Sequence, residues 1–252
     1  MAGRETRYET APAGAGRAVT SRVADDDSLR IEWPEPDDGE IVLRHTETGE
    51  EHAGAELSGL APGTWAVWKH GAPLVTDDPG FSLDGLTAYA GRPRSKEIRA
   101  FRTREGTLHV LVREVEPYVE VTRVCPEGGM ITVEGLIAYG ESFPAERPAG
   151  LVAVARKGPH SAGGGTVAGR RFTGRIPITP LAEGQTRRRV FWDLFAEIDG
   201  VRLALAARLD DVTEKKTRMR FPAQYLGQVR VRPYFTDADS LAVACTIEEK
   251  TS

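Results

Sequence analysis

Apolar residues recur at every second position along most of the chain, in short runs separated by Gly, Pro and Asp clusters. Alternation of that kind sets one face of a strand against a core and leaves the other in water. It predicts strands over Leu29–Trp33, Glu40–His45, Thr64–Lys69, Phe81–Leu83, Glu97–Thr103 and Thr107–Arg113 in the first half. In the second half it predicts Val119–Val124, Met130–Tyr139, Leu151–Arg156, Arg171–Ile178, Arg189–Ile198, Val201–Arg208, Gly227–Tyr234 and Ser240–Ile247. Few segments show helical period over a useful length, so the fold class is all-β. One hairpin is especially clear. Val190, Trp192, Leu194, Ala196 and Ile198 alternate with Phe191, Asp193, Phe195 and Glu197, and Asp199-Gly200 then leads into a second apolar run, Val201–Ala207. Asp-Gly accommodates the two positive φ angles of a type I′ turn, whose twist matches that of paired strands. Trp192 therefore belongs to the core face, and Asp193 and Glu197 to the opposite one.

The order of elements repeats. Ile98–Val110 aligns with Val231–Val243 across a small gap: an aromatic-bearing strand, then Thr103 or Thr236, a polar turn, and a strand opening at Leu108 or Leu241. Upstream, Leu60-Ala61-Pro62-Gly63-Thr64-Trp65 aligns with Leu181-Ala182-Glu183-Gly184-Gln185, with Trp192 following after an Arg-rich insertion. Leu29–Glu32 aligns with Ile131–Glu134. Three matches in one order imply an internal duplication. The expectation is two tandem immunoglobulin-like β-sandwiches, over 28–116 and 117–252, behind a disordered polar tail over 1–27. The boundary falls near Val115–Tyr118, where Pro117 interrupts the pattern. Equivalent positions give Trp65 and Trp192 a shared core role. Trp68 has the opposite parity to Trp65 and faces outward, where an aromatic ring can stack on a sugar.

Composition narrows the class. With 252 residues, 40% apolar and 28% charged, the chain can bury two domain cores and general disorder is excluded. No run approaches the roughly 20 apolar residues of a spanning helix, and the N-terminal residues lack the apolar run of a secretory signal. Cytoplasmic location is the expectation. Cys125 and Cys245 lack metal-ligand spacing and read as small buried hydrophobes. No cofactor is implied. The net charge of −4 is unevenly spread: 14 basic and 21 acidic side chains lie in 1–116, and 19 and 16 after it. The basic segments Arg187-Arg188-Arg189 and Lys215, Lys216, Arg218 and Arg220 are candidates for binding a polyanion or an anionic membrane surface, a solvated face being the other use of such charge. Nucleic acid is not the expected partner, because neither a recognition helix nor aromatic readers accompany them.

No catalytic constellation emerges. Gly164 to Gly169 has phosphate-loop spacing but lacks the Lys-Ser/Thr and the helix that must follow, and reads as a floppy hairpin turn. His45, His52, His70, His109 and His160 are scattered and read as surface residues. Asp193 and Glu197, four apart on one strand, lie roughly 13 Å apart by strand rise, too far to act on one bond. Asp210-Asp211 sits at a strand end, and Asp237 and Asp239 read as turn residues.

Several segments of the second half carry a resemblance: Trp192-Asp193-Leu194-Phe195, Asp199-Gly200, Asp210-Asp211-Val212, Phe221-Pro222, Arg232-Pro233-Tyr234-Phe235-Thr236 and Ser240-Leu241. They resemble the β-sandwich modules C-terminal to the catalytic domain in bacterial wall-teichoic-acid polymerases and glycosyltransferases. These are the CDP-glycerol glycerophosphotransferase and glycosyltransferase types, and the actinobacterial pattern is the nearest. The first half shares it only through the repeat. Its Leu60-Ala61-Pro62-Gly63-Thr64 resembles a fibronectin type III corner, with Trp65 where that fold places its Tyr one residue later. The chain is too short to add either catalytic domain to two sandwiches, so no catalytic residue carries over. The resemblance implies a non-catalytic accessory protein of cell-envelope glycopolymer synthesis. Its partners would be a glycosyltransferase or glycerophosphotransferase, or that enzyme's anionic polymer, at the inner face of the membrane. A small transferase in its own right is the alternative, and the absence of a nucleotide-binding βαβ pattern weighs against it.

Overall fold

Burial follows the alternation along the strands over 63–69, 108–112, 130–137, 171–176, 190–198 and 229–235. The computed structural model describes residues 17–34, 39–78, 83–156, 158, 160–210 and 212–248. Among them the structure is almost entirely β and divides into two units, Met1–Tyr89 with Ser95–Val115 and Ala90–Arg94 with Glu116–Ser252.

The first unit holds β1 (Arg17–Ala18), β2 (Thr20–Val23), β3 (Leu29–Glu32), β4 (Ile41–His45), β5 (Glu51–Ala53), β6 (Gly63–Lys69), β7 (Ala72–Pro73), β8 (Val75–Thr76), the helix α1 (Leu83–Tyr89), β9 (Lys96–Arg102) and β10 (Leu108–Glu114). Its main sheet runs β5-β4-β6-β10-β9, with β7 also on β6; β2 pairs with β3, and β1 runs parallel to β8. Trp65, Val67 and Lys69 point inward from β6, and the buried Lys69 ammonium lies 3.8 Å from the Trp33 ring centroid. Three expectations change here. Of the polar tail, residues 1–16 lie outside the described residues, and Arg17–Val23 form strands. Acids after β8 recruit them: Arg17 bonds Asp77, and the buried Ser21 backbone N–H donates to the Asp78 carboxylate at 2.8 Å. Of the strand expected over Phe81–Leu83, the first two residues lie outside the described residues and Leu83 opens α1. Leu86, Tyr89 and Ala90 are buried at helical, not strand, spacing. His45 is a core residue. Its ring packs edge-on to Trp65 at 5.0 Å, Nδ1 accepts from the Glu47 and Thr48 N–H groups, and Nε2 donates to the Pro62 carbonyl.

The second unit holds β11 (Tyr118–Glu127), β12 (Met130–Ala138), β13 (Phe143–Ala155), β14 (His160–Gly169), β15 (Arg171–Pro177), α2 (Thr179–Ala182), β16 (Arg189–Ile198), β17 (Val201–Ala206), α3 (Lys215–Arg218), β18 (Gln224–Leu226), β19 (Val229–Phe235) and β20 (Leu241–Ile247). Here the open sandwich is corrected. Strands β11, β12, β15, β14, β13, β16 and β17 pair in that order, and β17 returns to β11 through the parallel register Tyr118↔Ala204, Val119↔Leu205, Glu120↔Ala206, closing a seven-stranded barrel. Glycines inside the strands permit the closure. A Cβ on Gly163 would run into the Arg175 carbonyl oxygen, and one on Gly165 into that of Thr173. The supposed floppy turn is therefore mostly strand, and only Gly169-Arg170 reverse the chain between the paired Ala168 and Arg171. Strand β16 joins the barrel to a three-stranded extension. Its Arg189–Asp193 half pairs with β20, and β20, β19 and β18 follow in order. Trp192, Leu194, Ala196 and Ile198 face the core, and Asp199 (φ 48°) and Gly200 (φ 81°) make the expected I′ turn before Val201. Cys245 is buried in the same core, and burial pushes its thiol up to about 12. Cys125 is half-buried.

The aligned segments have matching geometry in the two units. Both β9–β10 and β19–β20 are antiparallel hairpins. In the first, Thr103 N–H donates to Thr107 O (2.9 Å) and Gly106 N–H to Thr103 O (3.1 Å); in the second, Thr236 and Asp239 N–H donate to Ser240 and Thr236 at 2.9 and 3.1 Å. Gly106 and Asp239 both have positive φ, 86° and 55°. Trp65 pairs with Val110 of the first hairpin, and Trp192 with the aligned Val243 of the second.

Candidate functional site

The outer face of β16, β20 and β19 carries three cross-strand rows: Arg189–Thr246–Arg230, Phe191–Ala244–Arg232 and Asp193–Ala242–Tyr234. Side chains at paired positions share a face. The middle strand contributes only Thr and Ala, while the flanks contribute long cations, rings and, from β16, Asp193. The result is a cleft of about 430 Å³, floored by Ala244 and Thr246.

Positive charge dominates it. Arg156, Arg189, Lys216, Arg230 and Arg232 line the cleft against a single acid, Asp237. Three of the cations are held by acids: Arg156 by Asp193 (2.9 Å), Lys216 by Asp237 (2.7 Å) and Arg230 by Glu248 (3.1 Å). Arg189 and Arg232 have no ion-pair partner among the described residues, so their guanidinium groups remain available to a ligand. Hydrogen bonds to Asp193 hold the Arg156 guanidinium even further up than usual. Burial pushes the Tyr234 hydroxyl up, with Arg156 pulling it partly back, so it is a neutral donor at physiological pH. Phe191 meets Tyr234 edge-to-face at 6.0 Å, and the Arg156 and Arg189 guanidinium carbons lie 5.4 and 5.9 Å from the Phe191 ring centroid. Such an arrangement suits phosphate oxygens, since guanidinium forks bind them in bidentate fashion.

The structure brings together only part of the expected basic set. Arg189 and Lys216 line the cleft. Arg187 and Arg188 are exposed on the segment leading into β16, and Arg218 and Arg220 are exposed outside the lining. Lys215 does not belong to the site. Its side chain is 3% exposed and its ammonium reaches Asp210 Oδ1 at 2.7 Å and the Val212 carbonyl at 2.8 Å. One residue of helix geometry separates this internal clamp from the exposed Lys216. Replacing Lys215 with Ala is expected to cost about 1–2 kcal/mol of stability, below the full penalty for a broken buried pair because water can reach the part-exposed Asp210. Lys216→Ala should leave the denaturation midpoint unchanged, and equal midpoints for both variants would refute the clamp. Trp68 is half-buried, with Arg44 stacked 4.5 Å from its ring centroid and held there by Glu51. Arg156, Arg230, Arg232, Phe191 and Tyr234 were not legible as site residues. Their parity was, but only the register of β16 and β19 across β20 shows that they converge.

No family model matches the chain, and no curated protein sequence matches it. Among solved structures it is similar to S. aureus TarS, at 16% identity and a TM-score of 0.41, over 62% of this chain and 29% of that one. A crystal structure of S. aureus TarS 217–571 matches at 17% identity and a TM-score of 0.40, over 64% and 48%. The chain thus spans less than half the length of either. Among the described residues, no helix is long and apolar enough to cross a membrane.

Proposed function

We propose that the chain is a non-catalytic binding protein of cell-envelope glycopolymer synthesis, and that it holds an anionic, teichoic-acid-like polymer in the basic cleft of its second unit. One observation carries this reading: Arg189 and Arg232 stand on opposite walls of a cleft with a small-residue floor and, among the described residues, have no acid of their own. The resemblance of the second half to modules of wall-teichoic-acid transferases supplies the polymer's class. In this reading the protein works in the cytoplasm, at the inner face of the membrane, beside a glycosyltransferase or glycerophosphotransferase. The two units are copies of one immunoglobulin-like ancestor, a reading supported by their matched hairpins and Trp–Val pairs; closure of the barrel is a later elaboration of the second copy.

Titration calorimetry with poly(glycerol phosphate) tests the cleft. Wild type should bind, and binding should weaken markedly between low and moderate salt, because the Debye length falls to about 8 Å near physiological ionic strength. Arg189→Ala with Arg232→Ala should lose about tenfold or more, the loss expected from removing charge-assisted hydrogen bonds of ~1.5–3 kcal/mol each. Arg218→Ala with Arg220→Ala should bind as wild type. Equal affinities for both double variants would move the site away from the cleft. Transfer from CDP-glycerol or a nucleotide sugar by the purified protein would overturn the non-catalytic role.

A further inference from the structure

The basic face continues past the cleft onto the edge strand. The row Arg189–Thr246–Arg230 is extended by Tyr225 of β18, which pairs with Arg230. Tyr225 therefore stands on the cation-bearing face, one strand beyond Arg230 and three from Arg189, or about 14 Å at the usual interstrand spacing. Tyr225 is 59% exposed, the one aromatic residue left mostly in water among the described residues, and no other ring or cation packs on it there. The strand beneath it is fixed. Gln224 accepts from the Gly129 N–H and donates to the Met130 carbonyl, both at 2.7 Å, which ties β18 to the turn between β11 and β12. An exposed ring on a short strand clamped in this way is held ready for a partner.

The surrounding chemistry identifies that partner. Inside the cleft, Phe191 is edge-on to Tyr234 and has Arg156 and Arg189 beside it, so the cleft presents cations and no free aromatic face. Single-stranded nucleic acid needs a series of stacking rings for successive bases, and this face offers a single free ring. A single free ring at the end of a run of cations fits a charged backbone that carries a pendant ring. The apolar C–H face of a pyranose stacks on a phenol, whose hydroxyl can hydrogen-bond the sugar's own. Resting on the polymer-binding reading of the cleft, we infer that Tyr225 is a sugar-stacking subsite, and that the preferred ligand is a polyol-phosphate chain bearing glycosyl substituents rather than the bare chain.

The test titrates wild type, Tyr225→Ala and Tyr225→Phe with poly(glycerol phosphate), with the same polymer bearing glucosyl substituents, and with a single-stranded oligothymidylate. Wild type should bind the glucosylated chain several-fold tighter than the bare one. Tyr225→Ala should remove that preference without weakening the bare chain, and Tyr225→Phe should keep most of it because the stacking face survives. If wild type binds both chains equally, or Tyr225→Ala weakens both alike, the subsite is refuted while the cleft reading stands. If neither chain binds, both fail. Oligothymidylate binding that depends on Tyr225 would overturn the sugar assignment in favour of a nucleobase.

Discussion

Trp192→Ala is expected to lower the stability of the second unit by about 3–5 kcal/mol, and Trp65→Ala to do the same in the first, as large-to-small changes of buried aromatics do. Both indoles are buried, at 4% and 0% exposure, and each sits opposite a core valine on the neighbouring strand, Val243 or Val110. Removing either leaves a void that the paired ladders resist filling, since each Trp lies on a strand bonded on both sides. Trp65 adds a hydrogen bond from its indole nitrogen to the Ala61 carbonyl at 3.0 Å, which the substitution also removes. Hydrogen exchange followed by mass spectrometry separates the units: protection should fall in the unit carrying the substitution. A loss below about 1 kcal/mol in either variant would show that the matched position does not carry equal weight.

Much of this architecture could be read from the sequence, because parity is a local property. The alternation of Val190 to Ile198 and the Asp199-Gly200 turn specify a hairpin and both its faces without reference to the rest of the chain. The likeness of the Thr103 and Thr236 turns was legible for a related reason: the two have the same local geometry, so their sequences resemble each other. What escaped depends on partners distant in sequence. Barrel closure needs β17 to meet β11, 80 or more residues apart, and the only trace it leaves is glycine inside strands, which reads equally as a loop. Arg17–Val23 looks like a tail until Asp77 and Asp78 are placed beside it. The basic site was half legible. A run of charge marks Arg189 and Lys216 but says nothing of Arg156, Arg230 and Arg232, which reach the same cleft only through strand register, and the same run wrongly enrols Lys215, whose ammonium turns inward to Asp210. The exposed ring belongs to Tyr225 and not to Trp68, since Arg44 already occupies one face of that indole.

The barrel's dependence on glycine gives the second large effect. Gly163, Gly164 and Gly165 are consecutive in β14 and paired with β13, so a uniform role would make their substitution costs alike. The structure makes them unlike. A Cβ on Gly164 would have nothing within 4 Å, whereas one on Gly163 would collide with the Arg175 backbone oxygen and one on Gly165 with that of Thr173, with the Gly174 Cα at 2.9 Å. None of the three needs a positive φ, so alanine meets no backbone strain and only the steric contact differs. The obstructing atoms are backbone, held in the β14–β15 ladder by Gly164↔Arg175 and Thr166↔Thr173, and they cannot swing aside as a side chain would. Gly164→Ala should therefore be neutral or stabilising by up to roughly 0.5–1 kcal/mol, through lost freedom in the unfolded chain. Gly163→Ala and Gly165→Ala should each cost about 2–3 kcal/mol, the upper part of the usual overpacking range, because relief requires the strands to part. Urea denaturation of the three variants measures the contrast, and hydrogen exchange should show lost protection concentrated in β14 and β15. Equal costs at all three positions would mean that these glycines do not set the close approach of the two strands.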